Sequence, residues 1–155
     1  MQHFIGTYEC KADAKGRIML PAALKKQLSN HLNKSFVIKR AVFNSCLELY
    51  PLDQWEGLMN NVNKLNRFNK KNNDFIRRFT AGVKLLEIDA TGRLLIPKDL
   101  TNHAKISKEV VVSSVVNILE IWDKGLYEKA IDEATTDFAA LAEEVMGDQN
   151  EDNLS

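Results

Sequence analysis

Two arginines stand at the same place in two copies of a short motif. Residues 13–21 read DAKGRIMLP and residues 89–97 read DATGRLLIP, and seven of these nine positions are identical or exchange one aliphatic side chain for another. Arg17 and Arg93 each follow the glycine of the motif. A guanidinium is a planar fork of N–H donors that binds a phosphate, or the O6 and N7 atoms of guanine, through two hydrogen bonds. The duplicated arginine therefore favours a surface that reads a repeating polyanion.

A tight turn is predicted to hold each arginine. Asp13 and Gly16 occupy the first and fourth positions of the first turn, and Asp89 and Gly92 repeat the pair. Aspartate accepts hydrogen bonds from the backbone ahead of it, and glycine tolerates a positive φ. We therefore expect a hairpin at both sites, with each arginine at the start of its returning strand.

The elements around the turns are also duplicated. Pro21 and Pro97 end the returning strands, because proline cannot donate to a strand ladder and is favoured where a helix begins. The segment LELY at residues 47–50 is matched by LEIW at residues 119–122. Each repeat is thus predicted to contain a hairpin, a short helix, a second hairpin and a longer helix, which starts at Asp53 in the first repeat.

Charge is separated along the chain although the formal net charge of the 155 residues is +0. This balance excludes a protein whose whole surface is basic. Residues 60–84 are nevertheless rich in Lys and Arg with Asp74 as their one acid, and residues 120–152 are predominantly acidic. The Asn-rich basic segment between the repeats is predicted to be a broken helix, because Asn has a low helix propensity.

The sequence has no feature of a membrane, metal or cofactor protein. No apolar run approaches the ~20 residues that span a bilayer, so the predicted location is the cytoplasm. Cys10 and Cys46 do not have the spacing of a zinc site, and no glycine-rich phosphate loop occurs. We therefore predict no enzyme activity, no metal, no cofactor and no small-molecule substrate.

The chain resembles the MraZ family of bacterial transcriptional regulators. The resemblance rests on the paired D-x-x-G-R motifs, each followed by three aliphatic residues and Pro, and on LELYPLDQW and LEIWDKGLY behind them. It implies tandem SpoVT/AbrB-like units whose swapped hairpins interleave into one pseudo-symmetric β-barrel flanked by helices. The predicted boundaries are residues 1–81 for the first repeat with its connecting helix, 82–147 for the second with the C-terminal helix, and 148–155 for a disordered acidic tail.

The same resemblance implies a function. Members of the family form ring-like homo-oligomers that bind direct repeats in double-stranded DNA, upstream of the division and cell wall gene cluster, and usually repress it. A nucleoid-associated repressor is therefore expected. Carried over to this sequence, the DNA-binding residues are Arg17 and Arg93, with Lys15 as a phosphate contact. Thr91 takes the place of Lys15 in the second motif, so the corresponding contact is predicted to be weaker or neutral.

Two other functions stay open from the sequence. An enzyme would have to use Cys46 with His3, His31 or His103, none of which lies in a catalytic motif. A protein-binding assembly scaffold would use the apolar helices and leave the hairpins a purely structural role. Arg77 and Arg78 in the basic segment are candidates for a second DNA contact, although such a segment is more often a solvated helix face.

Overall fold

Each repeat folds into strands flanked by helices in the same order. A computed structural model of the chain describes residues 3–31, 34–135 and 137–154. The elements of the first repeat are β1 (Thr7–Lys11), β2 (Arg17–Met19), α1 (Ala22–Gln27), β3 (Phe36–Arg40), β4 (Leu47–Pro51), α2 (Leu52–Val62) and α3 (Lys70–Phe79). Those of the second repeat are β5 (Lys84–Leu86), β6 (Arg93–Leu95), α4 (Lys98–His103), β7 (Glu109–Val115), β8 (Ile118–Asp123), α5 (Lys124–Thr135) and α6 (Phe138–Leu154). The fold class is α+β, as predicted.

The strands of the two repeats interleave. One antiparallel sheet has the order β1-β7-β8-β4-β3-β5, so that both outer pairs, β1 with β7 and β3 with β5, join strands from different repeats. A second sheet consists of β2 and β6, again one strand from each repeat. The predicted exchange of hairpins is thus confirmed. The described strands form two sheets linked by the isolated bridge between Ala12 and Ile18, rather than one continuous closed barrel.

A pseudo-two-fold axis relates the repeats and passes through one core. Ile18 faces Leu94 across the β2–β6 pair, and both side chains are fully buried. In the six-stranded sheet, Glu48 of β4 faces Glu120 of β8 in the same way. Apolar residues of both repeats form a single cluster that includes Ile18 and Leu94. Neither repeat therefore has a core of its own.

Both predicted turns are present, and each needs its glycine. The φ angles of Gly16 and Gly92 are +83° and +86°, in the left-handed region that side chains with a Cβ atom disfavour. The N–H of Gly16 donates to the carbonyl of Asp13 at 3.0 Å, and the N–H of Gly92 donates to the carbonyl of Asp89 at the same distance. The two turns are therefore closed in the same way.

Proline marks helix starts, and this corrects one predicted boundary. α1 and α4 begin directly after Pro21 and Pro97, which confirms the predicted starts. α2 begins at Leu52 after Pro51, so the predicted start at Asp53 is wrong by one residue. Its N-cap position is occupied by the proline instead of an aspartate, and Asp53 lies in the first turn.

The connection between the repeats is a broken helix, as predicted. α2 ends at Val62 and α3 begins at Lys70. The side chain of Asn69 caps α3 by accepting hydrogen bonds from the backbone N–H groups of Lys71 and Asn72. Asn69 thus starts a new helix after the Asn-rich stretch, because asparagine is a favoured residue at the N-cap of a helix.

The chain divides into two compact units, Met1–Lys124 and Gly125–Ser155. The second unit holds nearly all of α5 and the whole of α6. α6 extends to Leu154, through most of the segment for which the sequence predicts disorder, and no proline or further glycine follows Gly147 to end it. The repeat boundaries at residues 81 and 147 stay predictions. Among the described residues, no helix has both the length and the apolar character needed to cross a membrane.

Candidate nucleic-acid interface

The two arginines of the motif lie on one outward face of the pair formed by β2 and β6, which we call the β2–β6 ribbon. Arg17 pairs with Leu95 and Arg93 pairs with Met19 in the antiparallel register. Because side chains alternate along a strand, these four residues point away from the buried pair at the centre of the ribbon. Met19 and Leu95 are 48% and 56% exposed. The guanidinium groups therefore sit diagonally across the ribbon, with an exposed apolar side chain opposite each.

The first turn holds Arg17 through the carboxylate of Asp13. One oxygen, Oδ1, accepts hydrogen bonds of 2.9 Å from the backbone N–H groups of both Lys15 and Arg17. The other, Oδ2, accepts from Nε of Arg17 at 2.7 Å. These bonds, led by the one from the Arg17 backbone, lower the pKa of Asp13, so that the carboxylate stays charged at lower pH than an ordinary aspartate does.

The second turn repeats this arrangement with one addition. Oδ1 of Asp89 accepts from the backbone N–H groups of Thr91 and Arg93, at 2.9 and 2.8 Å. It also accepts from the hydroxyl of Thr91 at 2.7 Å, and Oδ2 accepts from Nε of Arg93 at 2.9 Å. The backbone N–H of Arg93 and the hydroxyl of Thr91 hold the pKa of Asp89 well below its usual range. Thr91, which stands where the first motif has Lys15, thus stabilises the second turn.

Each aspartate positions its arginine through Nε and leaves the terminal Nη groups for a ligand. In both pairs the bond runs from Nε, and among the hydrogen bonds of the described residues neither arginine uses its terminal Nη groups. The arginine side chains are 36% and 39% exposed, so the pairs are largely hydrated and add little to stability. An exposed arginine can pair with a carboxylate or bind a ligand. The geometry permits both at once, because the Nη ends remain available as a fork.

The lysine of the first motif is exposed beside its arginine, whereas the second turn is covered by another element. Lys15 lies on the surface of the first turn. At the second turn, the side chain of Lys25 from α1 lies over Gly92, where an added Cβ atom would overlap its Cδ atom. Sequence reasoning missed Lys25, because its position depends on which helix of one repeat meets which turn of the other. No local motif carries that information.

The basic segment offers fewer free cations than its composition indicates. Lys70 and Arg77 both pair with Asp74, at 3.0 and 3.2 Å, on the exposed surface of α3. Arg78 is exposed beside them. The role of this segment as a second DNA contact stays a prediction, and its charges are those of a solvated helix face.

The six-stranded sheet contains a polar row that the sequence did not indicate. This buried polar row consists of Lys39 on β3, Glu48 on β4 and Glu120 on β8, which face one another in the strand register. Lys39, which is fully buried, donates through Nζ to Oε1 of Glu48 at 2.8 Å and to the carbonyl of Arg40 at 2.6 Å. Glu120 accepts from Nε1 of Trp122 at 3.0 Å. Burial raises the pKa of Glu120 and the charge of Glu48 adds to the rise. Glu48 thus has a lysine partner, whereas Glu120, which faces it across the β4–β8 pair, is bonded by the N–H of a tryptophan.

Burial and packing against aromatic rings describe two residues of the enzyme hypothesis, Cys46 and His31. Burial raises the pKa of the Cys46 thiol far above its ordinary value, and the charges of Glu120 and Glu48 raise it further. A thiol that stays protonated is a poor nucleophile. His31 packs edge-on against the rings of Phe4 and Phe36 in the core region. In the described part of the chain, no group of three or more His, Cys, Asp or Glu residues has an arrangement that would hold a metal ion.

Comparison with known proteins gives close relatives over the whole chain. The sequence model of the family described as "MraZ protein, putative antitoxin-like" matches residues 3–78 and again residues 79–149. A Flavobacterium psychrophilum protein named transcriptional regulator MraZ is 65% identical over 152 residues, which cover 98% of this chain and 97% of that protein. Proteins of the same name from Christiangramia forsetii and Cytophaga hutchinsonii are 63% and 38% identical, over 100% and 94% of this chain and 100% and 96% of their own lengths.

Proposed function

The chain belongs to the MraZ family, and we propose that it regulates transcription by binding double-stranded DNA through the β2–β6 ribbon. Its relatives carry the name transcriptional regulator, which makes regulation of transcription the function to explain. The arrangement of Arg17 and Arg93 supports the DNA-binding part of the proposal. A two-stranded ribbon is narrow enough to enter the major groove, where sequence is read directly.

The observation that carries the proposal is the paired Asp–Arg geometry. Each aspartate accepts from Nε, so each guanidinium is held through that atom while its Nη groups stay available to a ligand. Guanine offers O6 and N7 as two acceptors side by side, which match such a fork. The nearby carboxylate makes a phosphate a less favourable ligand for the same fork, because both are anions. The arginines are therefore assigned to base reading and the exposed Lys15 to the phosphate backbone.

The two-fold character of the ribbon suggests how one chain meets DNA. Arg17 and Arg93 are related by the axis that passes between Ile18 and Leu94. Two guanines on opposite DNA strands are likewise related by a local two-fold axis of the duplex. The proposed binding unit for one chain is thus a short element with a guanine on each strand, and Thr91 shapes the second half of the contact by fastening its turn.

We propose further that several chains act together in a ring-like homo-oligomer on direct repeats. Exposed apolar side chains support self-assembly, among them Leu85 on the edge strand β5, which is 66% exposed. Joined subunits that each bind one repeat gain affinity because the later contacts are intramolecular. Binding across a promoter of the division and cell wall genes would make the protein a cytoplasmic, nucleoid-associated repressor.

The test is selection of bound fragments from sheared genomic DNA, followed by titration of the enriched duplex at several salt concentrations. The wild type is expected to enrich short direct repeats and to lose affinity steeply as salt rises. The double variant Arg17→Ala, Arg93→Ala should lose the preference for the enriched duplex. Lys129→Ala is the control, because it removes an exposed cation outside both the ribbon and the basic segment, and thermal melting checks that all variants are folded.

Two results would count against the proposal. If no fragment is enriched, the ribbon is not a sequence reader. If the double variant keeps the wild-type preference, the arginines have a structural role, and a scaffold that binds proteins through its apolar helices becomes the better explanation. Retention of protein partners by that variant in a pull-down experiment would then support the scaffold directly.

A further inference from the structure

The two turns of the ribbon differ in charge at one equivalent position. Lys15 in the first motif corresponds to Thr91 in the second, 76 residues farther along. The backbone N–H groups of both residues donate to the turn aspartate at 2.9 Å, so the positions are equivalent in structure as well as in sequence. By sequence alone, the second arginine lacks a neighbouring lysine.

The interleaved fold brings a lysine to the second turn from the other repeat. An ideal Cβ atom at Gly92 would overlap Cδ of Lys25 and lie 3.2 Å from its Nζ atom. Gly92 is accordingly buried, whereas Gly16 in the first turn is half-buried. The corresponding neighbour of Gly16 is Thr101 of α4, whose hydroxyl oxygen lies 3.7 Å from an added Cβ. Lys25 and Thr101 are themselves equivalent, 76 residues apart.

The repeats have therefore exchanged a lysine and a threonine. The first turn carries Lys15 within it and meets a threonine from the helix of the second repeat. The second turn carries Thr91 within it and meets Lys25 from the helix of the first repeat. Each turn thus has one lysine and one threonine, although both lysines belong to the first repeat.

The ammonium group of Lys25 is available for a ligand. Among the described residues it forms no ion pair within 4.0 Å. It lines an open depression of about 530 Å³ together with the turn and with two acids, Glu87 and Asp89. Both oxygens of Asp89 already accept from the second turn. Glu87 is the remaining acid that could compete for Lys25.

We propose that Lys25 makes the phosphate contact of the second turn that Lys15 makes at the first. This inference rests on the proposed function, because it assigns a residue to the same DNA interface. It replaces the expectation, drawn from Thr91, that the second half of the ribbon binds the backbone weakly. Each base-reading arginine is then flanked by one lysine, and the two halves of the ribbon carry equal positive charge toward DNA.

The experiment measures how the affinity for DNA depends on salt in matched lysine variants. Binding of the enriched duplex and of a shuffled duplex of equal length is measured at several salt concentrations for the wild type, Lys15→Gln, Lys25→Gln and Lys26→Gln. Lys26 is the control because it is the next residue of α1 and is exposed. For each bound chain, loss of one phosphate contact should reduce the slope of log K against log salt by about 0.9. Lys15→Gln and Lys25→Gln should show equal reductions, and Lys26→Gln none.

A compensating variant separates charge from packing at the turn. Thr91→Lys in the Lys25→Gln background returns a lysine to the second turn at the position that Lys15 occupies in the first. If Lys25 acts through its charge, this double variant should recover the wild-type salt slope. The preference for the enriched over the shuffled duplex should change little in Lys25→Gln, because phosphate contacts do not read sequence.

Several outcomes would overturn the inference. A Lys25→Gln slope equal to that of Lys26→Gln would mean that Lys25 only covers Gly92. A changed base preference would make Lys25 a base reader instead of a phosphate contact, and failure of Thr91→Lys to restore the slope would point to packing. Absence of salt-dependent binding by the wild type would refute the proposed function itself, which distinguishes that failure from a failure specific to Lys25.

Discussion

Substitution of the buried pair at the centre of the ribbon tests whether the two repeats share one core. Ile18 and Leu94 face each other across β2 and β6 and are both fully buried. Replacing a buried leucine or isoleucine with alanine costs about 2 to 5 kcal/mol, and the upper part of this range applies where the surroundings cannot collapse. Leu94→Ala and Ile18→Ala are each expected to cost about 3 to 5 kcal/mol. This is a large part of the ~5 to 15 kcal/mol that stabilises a typical domain.

The assay is urea unfolding at fixed protein concentration, followed by tryptophan fluorescence. Each repeat has one tryptophan, Trp55 in the first and Trp122 in the second. Trp122→Phe leaves a reporter in the first repeat, and Trp55→Phe leaves one in the second. Because the core is common to both repeats, Leu94→Ala should shift the midpoint equally for the two reporters. Leu95→Ala is the control, since this neighbouring side chain is exposed and its loss should cost no more than about 0.5 kcal/mol.

One result would refute the reasoning. If Leu94→Ala shifts only the transition reported by Trp122, the repeats unfold as separate domains and the interleaved strands do not couple them. Equal shifts would instead mean that residues 1–124 behave as one cooperative unit. Because self-assembly makes apparent stability depend on concentration, all variants are compared at the same concentration.

Three further substitutions test the polar contacts. The folded-state pKa of Glu120 is raised above its ordinary value of 4.5, so its favourable contribution is present below that value and lost as pH rises through the raised one. Glu120→Gln should therefore raise the melting temperature at pH 7 and change it little at pH 4; equal effects at both would contradict this. Lys39→Met leaves Glu48 without its buried partner and should cost about 3 to 5 kcal/mol in urea unfolding, of which an added Glu48→Gln should recover most. Asp89→Asn keeps an acceptor for the turn but places an amide against Nε of Arg93, so competition assays should show weaker preference for the enriched over the shuffled duplex.

Local features were predictable from the sequence because their causes are local. Asp13 and Gly16 determine the turn through a side-chain acceptor and a positive φ, and both act within a few residues. Pro21 ends a strand and starts a helix for equally local reasons. The pairing of β1 with β7 has no such signature, and its prediction came from resemblance to a family. Closure of a single barrel was expected on the same basis, whereas the described strands form two sheets.

The buried polar row could not be predicted, because it depends on contacts between distant elements. Lys39 lies in the segment FVIKR, where alternation leaves it on the face opposite the core. That face is covered by α3, whose Phe79 ring lies 4.5 Å from the ammonium group. A strand buried on both faces looks the same in sequence as one with a solvated face that carries a lysine. Lys25 was missed for the same reason.

The row also indicates what is gained by joining the two repeats in one chain. Lys39 faces Glu48 in the first repeat, and Ser113 faces Glu120 at the equivalent place in the second. In a dimer of identical single repeats, both places would carry the same residue, so the two central carboxylates would have either two buried lysines or none. Covalent linkage allows a lysine to face one acid and a serine to face the other, as it allows both turn lysines to lie in the first repeat. The packing at the axis stays symmetric, while the charges around it are free to differ between the halves.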